Sequence, residues 1–195
     1  MAGDRDRGGC SDVSLPYVRK HAIVSDMSVI RSIREKIGGF PRGEPFASAR
    51  FLELGSRASV DQALSRLIKD GAISRVTRGV FVRPRKSRFG GHVSPEPLKV
   101  AQAIAEATGR VVEIHGAEAA RRFELSTQVP MKPVFLTNGP TRRFRIRNLE
   151  VVLQHTSPRK LVLAGRPAGE ALSALWYLGK HHVTPSTIAL IRSRL

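Results

Sequence analysis

The sequence predicts an α+β protein built in two basic parts, on three observations. Residues 58–85, ASVDQALSRLIKDGAISRVTRGVFVRPR, begin with helical spacing, break at Asp70-Gly71 and continue as alternating β-branched and basic residues. Residues 83–97, RPRKSRFGGHVSPEP, are rich in Arg, Pro and Gly and carry no apolar period. Beyond them, short helical and strand-like runs alternate as in a small mixed α/β unit. The boundaries expected are an N-terminal arm over 1–24, a first domain over 25–83, a basic linker over 84–97 and a second domain over 98–195.

Residues 1–24 are polar, Gly-rich and weakly patterned, with YVRKHAIV (17–24) as one short element that can pack on the first domain. From Asp26, a possible cap, Val29, Ile30, Ile33 and Ile37 form a one-sided apolar stripe that predicts a helix ending at Gly38-Gly39. Residues 46–54, FASARFLEL, read as a second short helix, with Ser48 as a possible cap and Gly55 after it. In the third helix Val60, Leu64, Leu67 and Ile68 share one face, and Ala58, Gln62, Ser65 and Lys69 fall opposite. Ser59 with Gln62 fits a capping box there, and Ser56 is the alternative cap. Gly71 closes this helix. Ile73, Val76 and Val80-Phe81-Val82 then read as two strands joined through Thr77-Arg78-Gly79.

The second half predicts a helix over 97–108, a strand at RVVEIHG, a helix at AEAARRFEL, and strands over 132–137, 142–147 and 149–156. Asn138-Gly139 between the first two of those last strands is a hairpin signal. Two helices follow. Ala168–Leu178 has Leu172, Leu175 and Trp176 on its inward side, which makes Trp176 a core residue. Pro185–Arg194 is capped by Thr184, with Pro185 in its first position. Within TRRFRIRN, strand alternation sets Arg143, Arg145 and Arg147 on one face and Phe144 and Ile146 on the other. Like charges in a row repel unless water or an anion faces them, so that face is either solvated or a contact for an acidic partner or a nucleic-acid backbone.

Charge narrows the function classes. The 195 residues hold 33 Lys and Arg against 16 Asp and Glu, a net charge of +17. A field of that sign favours a polyanion. No apolar run approaches the roughly 20 residues of a membrane span. The polar N-terminus offers no signal-peptide core, and the single cysteine, Cys10, cannot form an intrachain disulfide. A cytoplasmic protein, with no membrane partner, is therefore expected. The histidines at 21, 92, 115, 155, 181 and 182 lack metal-ligand spacing, and no phosphate-binding glycine loop or nucleophile motif occurs, so neither metal nor cofactor is expected. Glu113 and Glu150 are strand acids, but Val152 stands where a metal-dependent nuclease would carry its lysine.

Three helices followed by a two-stranded basic wing is the order of a winged helix-turn-helix. Such a unit sets its third helix in the major groove of double-stranded DNA and its wing beside the phosphates. Residues 42–88 hold eleven Lys and Arg against four acidic residues, a net +7. The alternative, a protein-docking module, fits the basic wing and small polar helix face less well. Candidate DNA contacts are Arg57, Ser59, Gln62, Arg66 and Lys69 on the third helix, with Arg75, Thr77, Arg78, Arg83 and Arg85 on the wing; Arg143, Arg145 and Arg147 are the candidate partner contacts.

The run Ser59-Val60-Asp61-Gln62-Ala63-Leu64-Ser65-Arg66-Leu67, with Gly71-Ala72-Ile73-Ser74-Arg75-Val76 and Arg78-Gly79-Val80-Phe81, resembles the winged helix of the AbiEi family of antitoxins from type IV toxin–antitoxin systems. The order of winged helix, linker and α/β unit is similar to that family over most of residues 26–195. The resemblance implies a repressor of its own operon that also counters a nucleotidyltransferase-like toxin, and it implies no enzymatic activity. The second half departs from that pattern by being basic itself, with 15 Lys and Arg against 7 acidic residues over 94–195. The alternatives are a DNA-binding protein without a toxin partner and, less well matched by the residues, a nuclease.

Overall fold

In the computed structural model, residues 28–88 and 90–195 are described; the arm over 1–24, the element at 17–24, Cys10 and the Asp26 cap lie outside them. The chain is α+β, with two sheets and helices against both. A helix over 28–38 (α1) carries the expected stripe, burying Val29, Ile33 and Ile37. The second helix expected over 46–54 is not one. Pro45–Ala47 is a strand (β1), and Ser48–Phe51 is a single 3-10 turn. Phe46 and Ala47 are pulled into register against Phe81 and Val80, so sheet pairing outcompetes a helix too short to hold itself. Ser48 caps nothing; it is buried, and its N–H donates to the Gly79 carbonyl at 2.9 Å.

Arg57–Lys69 (α2), Ser74–Thr77 (β2) and Val80–Val82 (β3) follow as expected. The cap of α2 is Ser56, whose Oγ accepts from the Ser59 N–H, rather than Ser59 with Gln62. The first sheet is antiparallel in the order β1-β3-β2. Its ladder slips between Arg75 and Thr77, and Val76 at the slip packs against the core of the second half. Gly79 makes the hairpin turn at φ +78°, a left-handed conformation that glycine adopts without cost.

The 84–97 segment turns back on itself. Lys86 bridges His92, Ser87 N–H donates to the Gly91 carbonyl and Val93 N–H to that of Arg85. It leads into Pro97–Glu106 (α3), which touches β1 and β3 of the first sheet and β4 and β5 of the second. A helix with partners on two sides needs more than one apolar stripe. Val100, Ala101, Ala103, Ile104 and Ala105 are all buried, and the alanines let both sheets approach. One apolar cluster accordingly runs from Val80 through α3 into Phe135, Phe144 and Val151. Arg50 and Glu106 add a two-pronged ion pair across the same junction, 2.7 Å at its closest. The boundary drawn between residues 83 and 98 therefore marks a change of composition, while the core continues across it.

The second sheet joins Val112–Ile114 (β4), Val134–Thr137 (β5), Arg142–Ile146 (β6) and Leu149–His155 (β7) in the order β4-β5-β7-β6. Asn138-Gly139 makes no hairpin, because β7 lies between β5 and β6 and pairs parallel with β5. The turn instead crosses the end of β7. Asn138 Oδ1 accepts from Val111 N–H, and His155 bonds the Gly139 carbonyl and the Thr141 hydroxyl. Gly116–Arg122 (α4) packs on Pro167–Leu178 (α5), and Pro185–Arg192 (α6) starts at the expected Thr184 cap, with Thr187 completing a capping box. Trp176 is not in the core: it is 55% exposed, and Ala171, Ser173 and Ala174 take the buried positions.

Candidate nucleic-acid interface

The apolar side of α2 is consumed by the core, since Val60, Ala63, Leu64 and Leu67 are all buried. What remains outward is small and polar: Ala58, Asp61, Gln62, Ser65, Arg66 and Lys69 are exposed. Arg57 opens the helix and sits 3.5 Å from Asp61. That ion pair is well exposed, so water screens it and leaves the arginine available to a phosphate. Ser65 donates its hydroxyl to the Asp61 carbonyl at 2.8 Å, and Ser59 shares its own with Ser56 at 3.0 Å. The longest polar side chains exposed along this face after Arg57 are Gln62, Arg66 and Lys69.

The hairpin lies directly after α2. Arg78 stands exposed in its turn, Thr77 is half-buried beside it, and Arg75 lays its guanidinium 5.5 Å from the centre of the Phe81 ring. Arg85 is exposed at the start of the following segment. Arg83 differs from the other candidates. Its Nη1 donates to the Gly38 and Phe40 carbonyls, both at 2.6 Å, and so satisfies acceptors at the C-terminal end of α1. Its guanidinium serves the fold. Arg34 does similar work by pairing with Asp70 at 2.6 Å, which ties the end of α2 to α1.

The arginine strand is half as expected. Arg143 and Arg145 are exposed on β6 while Phe144 and Ile146 are buried behind them. Arg147 is not on that face: it lies in the turn after β6 at φ +53°, and its Nη2 donates to the His92 carbonyl at 2.8 Å. Across the ladder Arg145 stands opposite Glu150. The Glu150 carboxyl is held below its ordinary range, first by the hydrogen bond and charge of Lys132, with smaller help from Arg143 and Arg145. The sheet also brings this strand to the hairpin. Ser74, Arg75 and Val76 of β2 line a cavity of about 240 Å³ together with Ile146 and Arg147. Strand β6, though not its exposed arginine face, is thus a neighbour of the hairpin.

Residues 32–195 match the model of a family of unknown function, DUF6088. The chain belongs to that family. No curated protein and no solved structure matched the chain. The DUF6088 match takes in α2, the hairpin, α3 and the whole second sheet, so the junction through α3 falls inside the family's span. Among the described residues no helix is long and apolar enough to cross a membrane, and no three His, Cys, Asp or Glu side chains cluster as a metal site. Glu113 and Glu150, the two strand acids, have separate surroundings. Glu113 is buried and accepts from the Ile114 and Gly165 N–H groups, whereas Glu150 pairs with Lys132 at 2.5 Å near the surface.

Sequence reasoning passed over a further cluster, the exposed Trp176 with Lys160, His115 and Ser173. Helical spacing gave no sign of it, because it set Trp176 inward with Leu172 and Leu175, whereas the buried side of α5 carries Ala171, Ser173 and Ala174.

Proposed function

We propose that this protein is a cytoplasmic winged helix-turn-helix regulator that binds double-stranded DNA, represses its own operon and acts as antitoxin to a nucleotidyltransferase-like toxin. The observation that carries the DNA-binding part is the outward face of α2, with Gln62, Arg66 and Lys69, followed at once by a hairpin with Arg78 at its tip. An α-helix fits the major groove, glutamine can read adenine there, and basic residues on a neighbouring wing neutralise phosphates. The antitoxin part rests on the resemblance of residues 59–81 to the AbiEi winged helix; the toxin surface is drawn instead from strand alternation, which leaves Arg143 and Arg145 exposed side by side on β6.

The test is a gel shift of the full chain on its own promoter and on random duplex DNA over a salt series. Affinity falls steeply with salt, by about 0.9 in log K per log salt for each phosphate neutralised. Gln62→Ala loses preference for the promoter, about 1–3 kcal/mol for a well-made base contact, while Arg78→Ala weakens both DNAs alike. A flat salt response, or two variants that behave identically on both DNAs, breaks the reading. In parallel, the double variant Arg143→Glu, Arg145→Glu fails to restore growth when the adjacent toxin gene is co-expressed. If it rescues fully, that pair is not the toxin surface.

A further inference from the structure

The second half holds an open cleft of about 280 Å³ that DNA binding leaves unused. Its walls include His115 ahead of α4, Gln154 on β7, Lys160 in the 3-10 turn after β7, and Ser173, Trp176 and Tyr177 on α5. Three features of these walls are unusual for a folded surface. Trp176, with more apolar surface to hide than any other side chain here, stays 55% exposed. The Lys160 ammonium stands 5.6 Å from the centre of its ring. Ser173 is 4% exposed, and its Oγ has no hydrogen-bond partner among the described residues.

The serine is the most telling of the three. A hydroxyl within a helix ordinarily donates back to the carbonyl four residues earlier, as Ser65 does to Asp61. Ser173 makes no such bond, and a buried polar group left unmet bears its full desolvation cost. His115 adds a directed donor. Burial, and secondarily the charge of Lys160, push its pKa below the ordinary histidine value, so the ring is neutral at pH 7. Its Nδ1 accepts from the Ala117 N–H, which leaves the proton on Nε2.

We propose that this cleft binds a mononucleotide, with the base against Trp176, the phosphate against Lys160, and Ser173 and His115 donating to its polar atoms. A free sugar would use the ring and leave the ammonium idle. Inorganic phosphate would do the reverse. A ring face and a cation this close suit a ligand that carries both an aromatic ring and an anion a few bonds apart, and the cleft has room for one such unit. Gln154, exposed at the rim, offers both a donor and an acceptor to the edge of a base.

Trp176 is the only tryptophan in the chain, so its fluorescence reports the site directly. The full-length protein is titrated with AMP, GMP, CMP and UMP, and separately with inorganic phosphate, the four nucleosides and a short single-stranded oligonucleotide. Saturable quenching by at least one mononucleotide, tighter than by its nucleoside or by phosphate, is the expected result. Lys160→Ala weakens that binding about tenfold or more, the loss of a charge-assisted bond. Ser173→Ala weakens it about two- to tenfold without lowering the melting temperature, because it removes a hydroxyl that the apo fold leaves unmet. Quenching that rises linearly with every nucleotide overturns the proposal. So does saturable quenching that survives Lys160→Ala, binding of the oligonucleotide alone, or a Ser173→Ala variant that melts lower and binds as before.

Discussion

Residues 28–82 turn their aromatic rings inward, whereas residues 97–195 leave their largest one in water. In the first region Phe40, Phe46, Phe51 and Phe81 gather in one cluster, with ring centres 5.1 Å apart for Phe40–Phe46 and 5.7 Å for the edge-on pair Phe46–Phe51. Its cations either brace the frame, as Arg34 and Arg83 do, or stand outside it, as Lys69 and Arg78 do. In the second region Trp176 is exposed, Ser173 is unmet among the described residues and Glu113 is buried. Both regions are basic, yet their charge is set in different surroundings. The first is a finished core with chemistry on its outer surface, suited to a broad, charged partner. The second keeps polar groups inside and a cleft beside them, suited to something small. Net charge alone would have made them look alike.

The sharpest way to break this contrast is inside the core of the first region. Phe51 is fully buried, and Phe51→Ala removes a large part of the first core, costing about 3–5 kcal/mol. Because α3 packs on both sheets, the whole chain melts earlier in one transition by calorimetry. Two transitions, one of them unmoved, would show the regions to be independent. The next effect is confined to the second region. A Cβ on Gly116 would lie 2.5 Å from the Ser173 carbonyl oxygen and from Tyr177 Cβ, where α4 presses on α5. Gly116→Ala costs about 1–3 kcal/mol by chemical denaturation, and promoter binding by the fraction still folded is unchanged.

The smallest effect concerns Glu113. Burial raises its pKa above the ordinary 4.5, against the opposing bonds from Ile114 and Gly165 N–H. An acid whose folded pKa is raised holds its proton more tightly folded than unfolded. It therefore takes stability away as pH rises from its unfolded value through its folded one, and the whole penalty is present above that. Glu118, Glu124 and Glu150, with lowered values, act in the opposite sense. Unfolding free energies at stepped pH show Glu113→Gln losing less stability than the parent as pH rises from 4.5 toward neutrality. Parallel curves for the two proteins would mean that burial does not raise the carboxyl's pKa in the folded protein.

Much of the first region was legible because its signals are local. The stripe Val60, Leu64, Leu67 fixed the buried side of α2, and Gly71 and Gly79 marked its end and the hairpin turn. The strand β1 was not legible: three residues are too few to show alternation, and its partner Val80–Val82 comes more than thirty residues later. In the second region alternation separated Arg143 and Arg145 from Phe144 and Ile146 correctly. The order of the sheet was hidden, since Asn138-Gly139 turns sharply in either arrangement and only the insertion of β7 decides between them. The cleft was hidden for a similar reason. His115, Lys160 and Ser173 are far apart in the chain, and nothing in the local pattern around a serine shows that its hydroxyl will be left without a partner.

The position of β7 also sets an order of events at the ribosome. Strand β5 leaves the exit tunnel with an antiparallel neighbour already available in β4, but its other edge waits for residues 149–155. Until they emerge, Phe135 and the side of α3 that rests on this sheet have no finished surface to lie against, and Val80 at the base of the hairpin shares that exposure. The nascent protein therefore passes through a stage in which an arginine-bearing hairpin is complete while the sheet behind it is still open. A pause after β5 has left the tunnel and before β7 has would prolong that stage, and the open edge of β5 is where a chaperone or a second nascent chain would first take hold.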